Sequence, residues 1–292
     1  MHQPVLLKEV IDYLDPKPGA FIIDGTINGG GHAEEIFKKI YPTGRLLGID
    51  LDSELIEKAR KKNTGEKNII MAEGNYADLP EILKENELPR ADGLILDLGF
   101  SSYQLEGSGR GFSFEKDEPL MMTYRKSDKP VAQIIRELKE NELADVIFQL
   151  SGERYSRKIA KAIKEREKIG PILSSLELAE IIRKSVPRRY ELGRINPATR
   201  TFQALRMFAN QELENLKKIL EGIDLVIKSG GRVVIISFHS LEDKLVKDCF
   251  RKGEKENRYQ ILTKKPIRPS DDEVRQNPRS RSARLRAILV KS

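Results

Sequence analysis

Short apolar runs alternate with amphipathic stretches over the first hundred residues. "AFIID" (20–24), "GRLLGID" (44–50), "NIIMAEG" (68–74) and "ADGLILDLG" (91–99) read as strands, each too short for a buried helix. Between them, Ala33, Ile36, Phe37 and Ile40 recur at helical spacing, and "SELIEKARKK" (53–62) reads as a helix with Ser53 as its N-cap. Strands alternating with helices predict a mostly parallel sheet wound by right-handed crossovers. A fifth strand, "GGRVVIISF" (230–238), comes only much later, followed by candidates at 258–264 and 284–291. The stretch between the fourth and fifth strands has helical periodicity instead, over 131–150, 156–167 and 175–186. The pattern therefore predicts an α/β domain in two parts, 1–109 and 196–292, around an inserted helical subdomain at 110–195. One helix, starting at Thr201 and running to about Gly231, is expected to lead back into the sheet. The polar stretch 268–284 reads as an irregular surface loop. No internal repeat is visible.

Composition narrows the class. Of 292 residues, 33% are charged and 39% hydrophobic, as in a soluble globular protein. No apolar run approaches the ~18 residues that span a bilayer. The N-terminal stretch lacks a basic region before an apolar core, so a signal peptide is not expected and the reading is cytoplasmic. The single cysteine, Cys249, excludes an internal disulfide and a cysteine-cluster zinc site, and no metal is expected. Cys249 shares a helical stripe with Leu241, Leu245 and Phe250 and reads as a buried thiol.

The net charge of +7 is unevenly placed: +8 over residues 151–210, +6 over 264–292, and −7 over the rest. Two basic segments on an acidic body suggest a polyanion surface, with nucleic acid the first candidate. The arginines concerned are Arg188, Arg189, Arg194, Arg200 and Arg206 in the first segment, and Arg279, Arg281, Arg284 and Arg286 in the second.

The stretch "FIIDGTINGGGHAEEIF" (21–37) carries glycines 25, 29, 30 and 31 between a strand and a helix. Their spacing fails the G-x-G-x-x-G of a dinucleotide site, and no Gly-Lys-Ser/Thr follows for a P-loop. Acids stand where phosphate signatures are missing. Asp24 ends the first strand, Asp50 ends the second 19 residues after Gly31, and Asp97 ends the fourth. An acid at the second strand's end accepts hydrogen bonds from ribose hydroxyls. Carboxylates also suit a cationic amino-acid group, so the ligand chemistry points to S-adenosyl-L-methionine. Acids that merely cap the following helices are the alternative, and three together make it the weaker one.

The motifs "HQPVLLKEVIDYL", "DGTINGGGH", "GIDLD", "ILDLGFSSYQL", "RGFSF", "INPATRTFQALR", "ISFHSLED" and "NPRSRSARLR" occur in the order seen in the RsmH (MraW) family, which this chain resembles from His2 to Arg286. The resemblance implies a class I S-adenosylmethionine-dependent methyltransferase, a Rossmann-like α/β sheet with an inserted all-helical subdomain. It implies methylation of the N4 amine of a decoding-centre cytidine in 16S ribosomal RNA, within the small ribosomal subunit. It further implies that Gly30, Gly31 and His32 contact the cofactor's amino-acid part, Asp50 its ribose, Tyr76 its adenine, and Asp97 and Gln104 the remainder. Two positions depart from the family pattern. Asn28 replaces a loop glycine, and Met121 replaces an acid in "LMMTYR", so this chain does not carry that acid.

Cytosine's exocyclic amine is a weak nucleophile, so transfer to it needs alignment and acceptors for its N–H groups. Asp97, Ser101, Ser102 and the backbone carbonyls after the fourth strand are the candidates. His239, in "SFHSLED", is a second candidate for the base, with a loop hydrogen bond as its alternative role. Methylation at carbon 5 would need a cysteine at the sheet edge, and Cys249 lies inside a helix. Another RNA or DNA amino-methyltransferase, a NAD-linked oxidoreductase and a non-catalytic RNA-binding protein are the rival readings. The sequence leaves a homodimer open.

Overall fold

The computed structural model describes residues 4–63, 65–99, 101–187, 190 and 196–291, with the side chains of Ser102 and Glu106 left aside. Helix α1 (Leu7–Leu14) precedes β1 (Phe21–Asp24), α2 (Gly31–Ile40), β2 (Arg45–Asp50), α3 (Ser53–Lys62), β3 (Ile69–Glu73), α4 (Leu79–Glu85) and β4 (Ala91–Asp97). Then come α5 (Ser102–Glu106), α6 (Val131–Glu137), α7 (Glu140–Ser151), α8 (Ser156–Glu167), α9 (Ser175–Ser185) and α10 (Ala198–Ala209). The chain continues through α11 (Glu212–Glu221), α12 (Ile223–Val226), β5 (Ile227–Ser237), α13 (Ser240–Lys255), β6 (Tyr259–Ile261), α14 (Asp271–Gln276) and β7 (Arg284–Val290).

The seven strands form one sheet in the order β3-β2-β1-β4-β5-β7-β6. β1 to β5 run parallel; β7 inserts antiparallel between β5 and β6. Side chains alternate between two faces, each covered by helices. Phe21, Ile23, Leu47, Ile49, Leu94, Leu96, Val233 and Ile235 pack with α4, α11, α12 and α13. Ile22, Leu46, Ile95, Val234 and Ile236 pack with α1, α2 and α3 on the other face. Burial on both sides is why these strands read as continuous apolar runs.

The compact units are Met1–Phe100 with Leu213–Ser292, which holds the sheet, and Ser101–Glu212, which is helical. The helical unit is wider at both ends than 110–195. Its core includes Leu143, Ile147, Ile159, Ile163, Leu178, Ile182 and Leu205, all fully buried.

Three local expectations are corrected. The cap of α3 is Asp52, whose carboxylate accepts from the Glu54 N–H; Ser53 is already helical. The single helix expected from Thr201 to Gly231 is broken, because Gln211 takes a left-handed φ of 51° and Gly222 separates α11 from α12. The "loop" 268–284 contains α14 and a 3-10 turn at Pro278–Ser282. Ser270 caps α14 by accepting the Glu273 N–H, an S-x-x-E signal present in the sequence.

Candidate active site and basic surface

In an open sheet of this order the strands on either side of β1 and β4 are reached by crossovers in opposite directions. Ligands bind at the carboxyl ends there. The loop leaving β1 is pinned on both sides: Gly25 N–H donates to Ile95 O (3.0 Å) and Ile27 N–H to Ile49 O (2.9 Å). A Cβ on Gly25 would stand 2.5 Å from Leu96 Cδ2, so the chain approaches β4 as closely as only glycine can. Asn28 takes φ 47°, the left-handed turn a glycine would fill, and asparagine is among the residues that tolerate it. Its side chain also contributes a bond a glycine could not: Nδ2 donates to Asp97 O (3.3 Å). The backbone N–H of the same residue donates to Asp50 Oδ2 (3.0 Å). Gly30, at φ 75°, caps α2 and has nothing within 4 Å of where a Cβ would stand. The floor of the site is tight and the rim is open.

Three acids converge on this loop. Asp24 is buried, and its Oδ1 accepts from Thr26 N–H (3.1 Å). Thr26 Oγ1 in turn accepts from Asp97 N–H (2.6 Å). Asp50 Oδ1 accepts from Asp52 N–H (2.9 Å). Asp97 Oδ1 is buried with no hydrogen-bond partner, and Oδ2 lies 3.8 Å from His32 Nδ1. His32 Nε2 sits 2.9 Å from Val5 O, and since a carbonyl only accepts, Nε2 is the donor. Among the described residues neither Asp24 nor Asp97 has a Lys or Arg ion pair. Burial pushes the Asp24 carboxyl up to about 7, helped by the Asp50 charge and opposed by the Thr26 amide. Burial, then Asp24 and Glu242, push Asp97 well above the usual carboxylate range. Buried acids grouped in this way favour a cationic group beside them.

Tyr76 stands in a 3-10 turn after β3, held there by Gly74 N–H donating to Asp50 O (3.0 Å), and its Cβ is 3.2 Å from the Cβ position of Gly25. The structure thus brings Gly30, Gly31, His32, Asp50, Tyr76 and Asp97 to one edge. Ser101 and Gln104 belong to the helical unit, where they form a capping box on α5. Gln104 N–H donates to Ser101 Oγ (3.1 Å) and Ser101 N–H to Gln104 Oε1 (2.8 Å). The Ser102 side chain lies outside the description. His239 is the N-cap of α13: its Nδ1 accepts the Glu242 N–H (3.3 Å), and Nε2 lies 3.0 Å from Glu242 Oε1, off the hydrogen-bonding direction. The sequence reading missed Thr26 and Val5, which tie Asp97 and His32 in place; no periodicity or spacing marks a backbone carbonyl as a partner. Cys249 is half-buried rather than buried, donates to Leu220 O (3.4 Å), and burial pushes its thiol up to about 11.

The arginine set divides. Arg188, Arg189 and Arg194 lie outside the described residues. Arg206 is buried in a bidentate pair with Glu212 (2.8 and 2.9 Å), which also accepts from the Tyr124 hydroxyl. Arg286 is buried against Asp243 (2.7 and 3.2 Å), and Arg284 reaches the same carboxylate at 3.3 Å. Arg206 and Arg286 are therefore structural ion pairs and not solvent-facing phosphate contacts. Arg200 donates to the Tyr190 hydroxyl (2.8 Å) beside the fully buried Glu153. Arg279 and Arg281 are exposed.

A sulfonium and an ammonium with a ribose diol fit this edge: the Asp97 oxygen without a hydrogen-bond partner, the acids at the strand ends and the open rim over Gly30 suit them. Sheet order, the antiparallel β7 and this acid-lined switch point define a class I S-adenosyl-L-methionine-dependent methyltransferase. The MraW methylase family model matches residues 1–291, and the chain belongs to that family. It is 45% identical to ribosomal RNA small subunit methyltransferase H of Thermotoga neapolitana, over 98% of this chain and 95% of that protein. The protein of the same name from Syntrophobacter fumaroxidans is 41% identical over the same shares. Among the described residues no helix is long and apolar enough to cross a membrane.

Proposed function

We propose that this chain methylates the N4 amine of a decoding-centre cytidine in 16S ribosomal RNA, in the cytoplasm and within the small ribosomal subunit. The observation that carries the reading is the near-full-length match to relatives named as small-subunit rRNA methyltransferases. Bound S-adenosyl-L-methionine supplies an electrophilic methyl group. Gly30, Gly31 and His32 would hold its amino-acid end, Asp50 its ribose hydroxyls, Tyr76 its adenine, and Asp97 and Gln104 the remaining contacts. The amine needs no strong base before attack, because its proton can leave afterwards. Asp97, with Ser101 and Ser102, is proposed to accept its N–H groups. A carboxylate with a raised pKa takes up a proton readily, and Asp97 Oδ1 is such an acceptor. His239 stays with its helix cap. The exposed Arg279 and Arg281 would meet RNA phosphates.

The test is incubation with S-adenosyl-L-methionine and either free 16S RNA or isolated small subunits, followed by mass spectrometry of the digested nucleosides. N4-methylcytidine at one site is expected. Methylation on carbon 5, on ribose or nowhere would overturn the reading.

A further inference from the structure

A cleft of about 270 Å³ opens in the sheet unit between α13 and the β6–β7 edge, away from the acid-lined end of β1. Its floor is Phe250 and Ile261, and Thr263 closes one side with its hydroxyl accepting from Ala287 N–H (2.9 Å). Lys247, Arg251, Lys264 and Arg286 line it, with Glu254 as the one acid among the lining residues.

The charges are not balanced inside the cleft. Arg286 is already paired with Asp243 (2.7 Å), and Lys247 has Asp248 at 3.8 Å on the outer side. Glu254 is drawn to the sheet edge, where its Oε1 accepts from Ile261 N–H (3.3 Å). Among the described residues Arg251 and Lys264 have neither an ion pair nor a hydrogen bond, and both are exposed. Lys247 and Arg251 stand one turn apart on the same face of α13, an arrangement that repels in a bare helix. Like charges left uncompensated around a concave, partly apolar floor favour an anion carrying an apolar neighbour. A nucleotide has both parts: its phosphodiester is the anion and its base supplies an apolar face.

We propose that this cleft seats a backbone phosphate of the RNA substrate, with Lys247, Arg251 and Lys264 as its cations; this rests on the RNA reading above. β6 is three strands from β4, so at the usual strand spacing the cleft lies about 14 Å across the sheet from Asp97. A phosphate held there belongs to a nucleotide other than the target and sets the strand's register without reading its sequence.

The experiment measures binding of the full chain to a fluorescent 16S fragment over a range of salt concentrations. The triple variant Lys247→Gln, Arg251→Gln, Lys264→Gln should lower the slope of log affinity against log salt by about one to two. Calorimetric affinity for S-adenosyl-L-methionine should stay at the wild-type value, which shows that the sheet is intact. Glu254→Gln keeps the oxygen that holds Ile261 and removes the opposing charge, so it should bind RNA more tightly at low salt. An unchanged slope in the triple variant overturns the proposal. So does an equal loss of affinity for inorganic phosphate with RNA binding untouched, which would make the cleft a free-phosphate site. Binding is read without turnover, so a chain that methylates some other RNA position would sink the proposed function and leave this result standing.

Discussion

Asp24 sits where a charge is hardest to keep. Its folded pKa of about 7 lies above the ordinary 3.8, so the folded chain binds its proton more tightly than the unfolded chain does. Such a group favours folding while protonated and gives that stability up as pH rises from about 4 to about 7. Asp97 shifts the same way, so it adds to the fall. We expect Asp24→Asn, which keeps the oxygen that accepts Thr26 N–H, to flatten the decline in melting temperature between pH 4 and pH 8. A variant whose melting temperature falls as steeply as the wild type's would assign the effect elsewhere. At this scale the sequence was generous with the acids and mute about their partners. Asp24, Asp50 and Asp97 announce themselves by ending apolar runs. Thr26 and Val5 act through a hydroxyl and a carbonyl whose positions depend on the fold.

His239 illustrates what an element asks of a residue. Its ring accepts the Glu242 N–H, and the Glu242 carboxylate accepts from the N–H groups of Phe238 (2.8 Å) and His239 (3.2 Å). Removing an N-cap costs about 1 kcal/mol, so His239→Ala should lower the melting temperature by about 2–4 °C. His239→Asn restores a good cap and should recover most of it. The methyl-transfer rate of His239→Asn distinguishes the roles: a near-wild-type kcat fits a cap, and a collapsed one would return His239 to the target base. β1, β2 and β4 were legible because burial on both faces makes their central residues almost all apolar. Helix breaks were less so. Gln211 carries no mark of the left-handed turn it adopts, and α14 was hidden by a polar composition that its Ser270 cap should have outweighed. The arginines misled for a related reason, since sequence records a charge and not the acid that buries it.

For the whole molecule, the identity of the cofactor has a thermodynamic signature. A ligand bound only by the folded chain at 100 times its dissociation constant stabilises by about 2.7 kcal/mol. At roughly 2–4 °C per kcal/mol for chains approaching this size, S-adenosyl-L-methionine should raise the melting temperature by about 5–10 °C. NAD at the same concentration should leave it where it was; the reverse order of the two ligands would contradict the methyltransferase assignment. The sheet itself carries a different consequence. β4 and β5 are neighbours, yet about 130 residues of chain separate Asp97 from Ile227. Compared with a direct crossover of about a dozen residues, closing so long a detour adds about 2 kcal/mol of chain entropy, and each further doubling adds only about 0.6. The equilibrium is nearly indifferent to how much chain hangs between those two strands. The folding clock is not, because pairing across long sequence separations is what slows a chain down. Lengthening that connection with flexible residues would leave this sheet about as stable and change how long it takes to close.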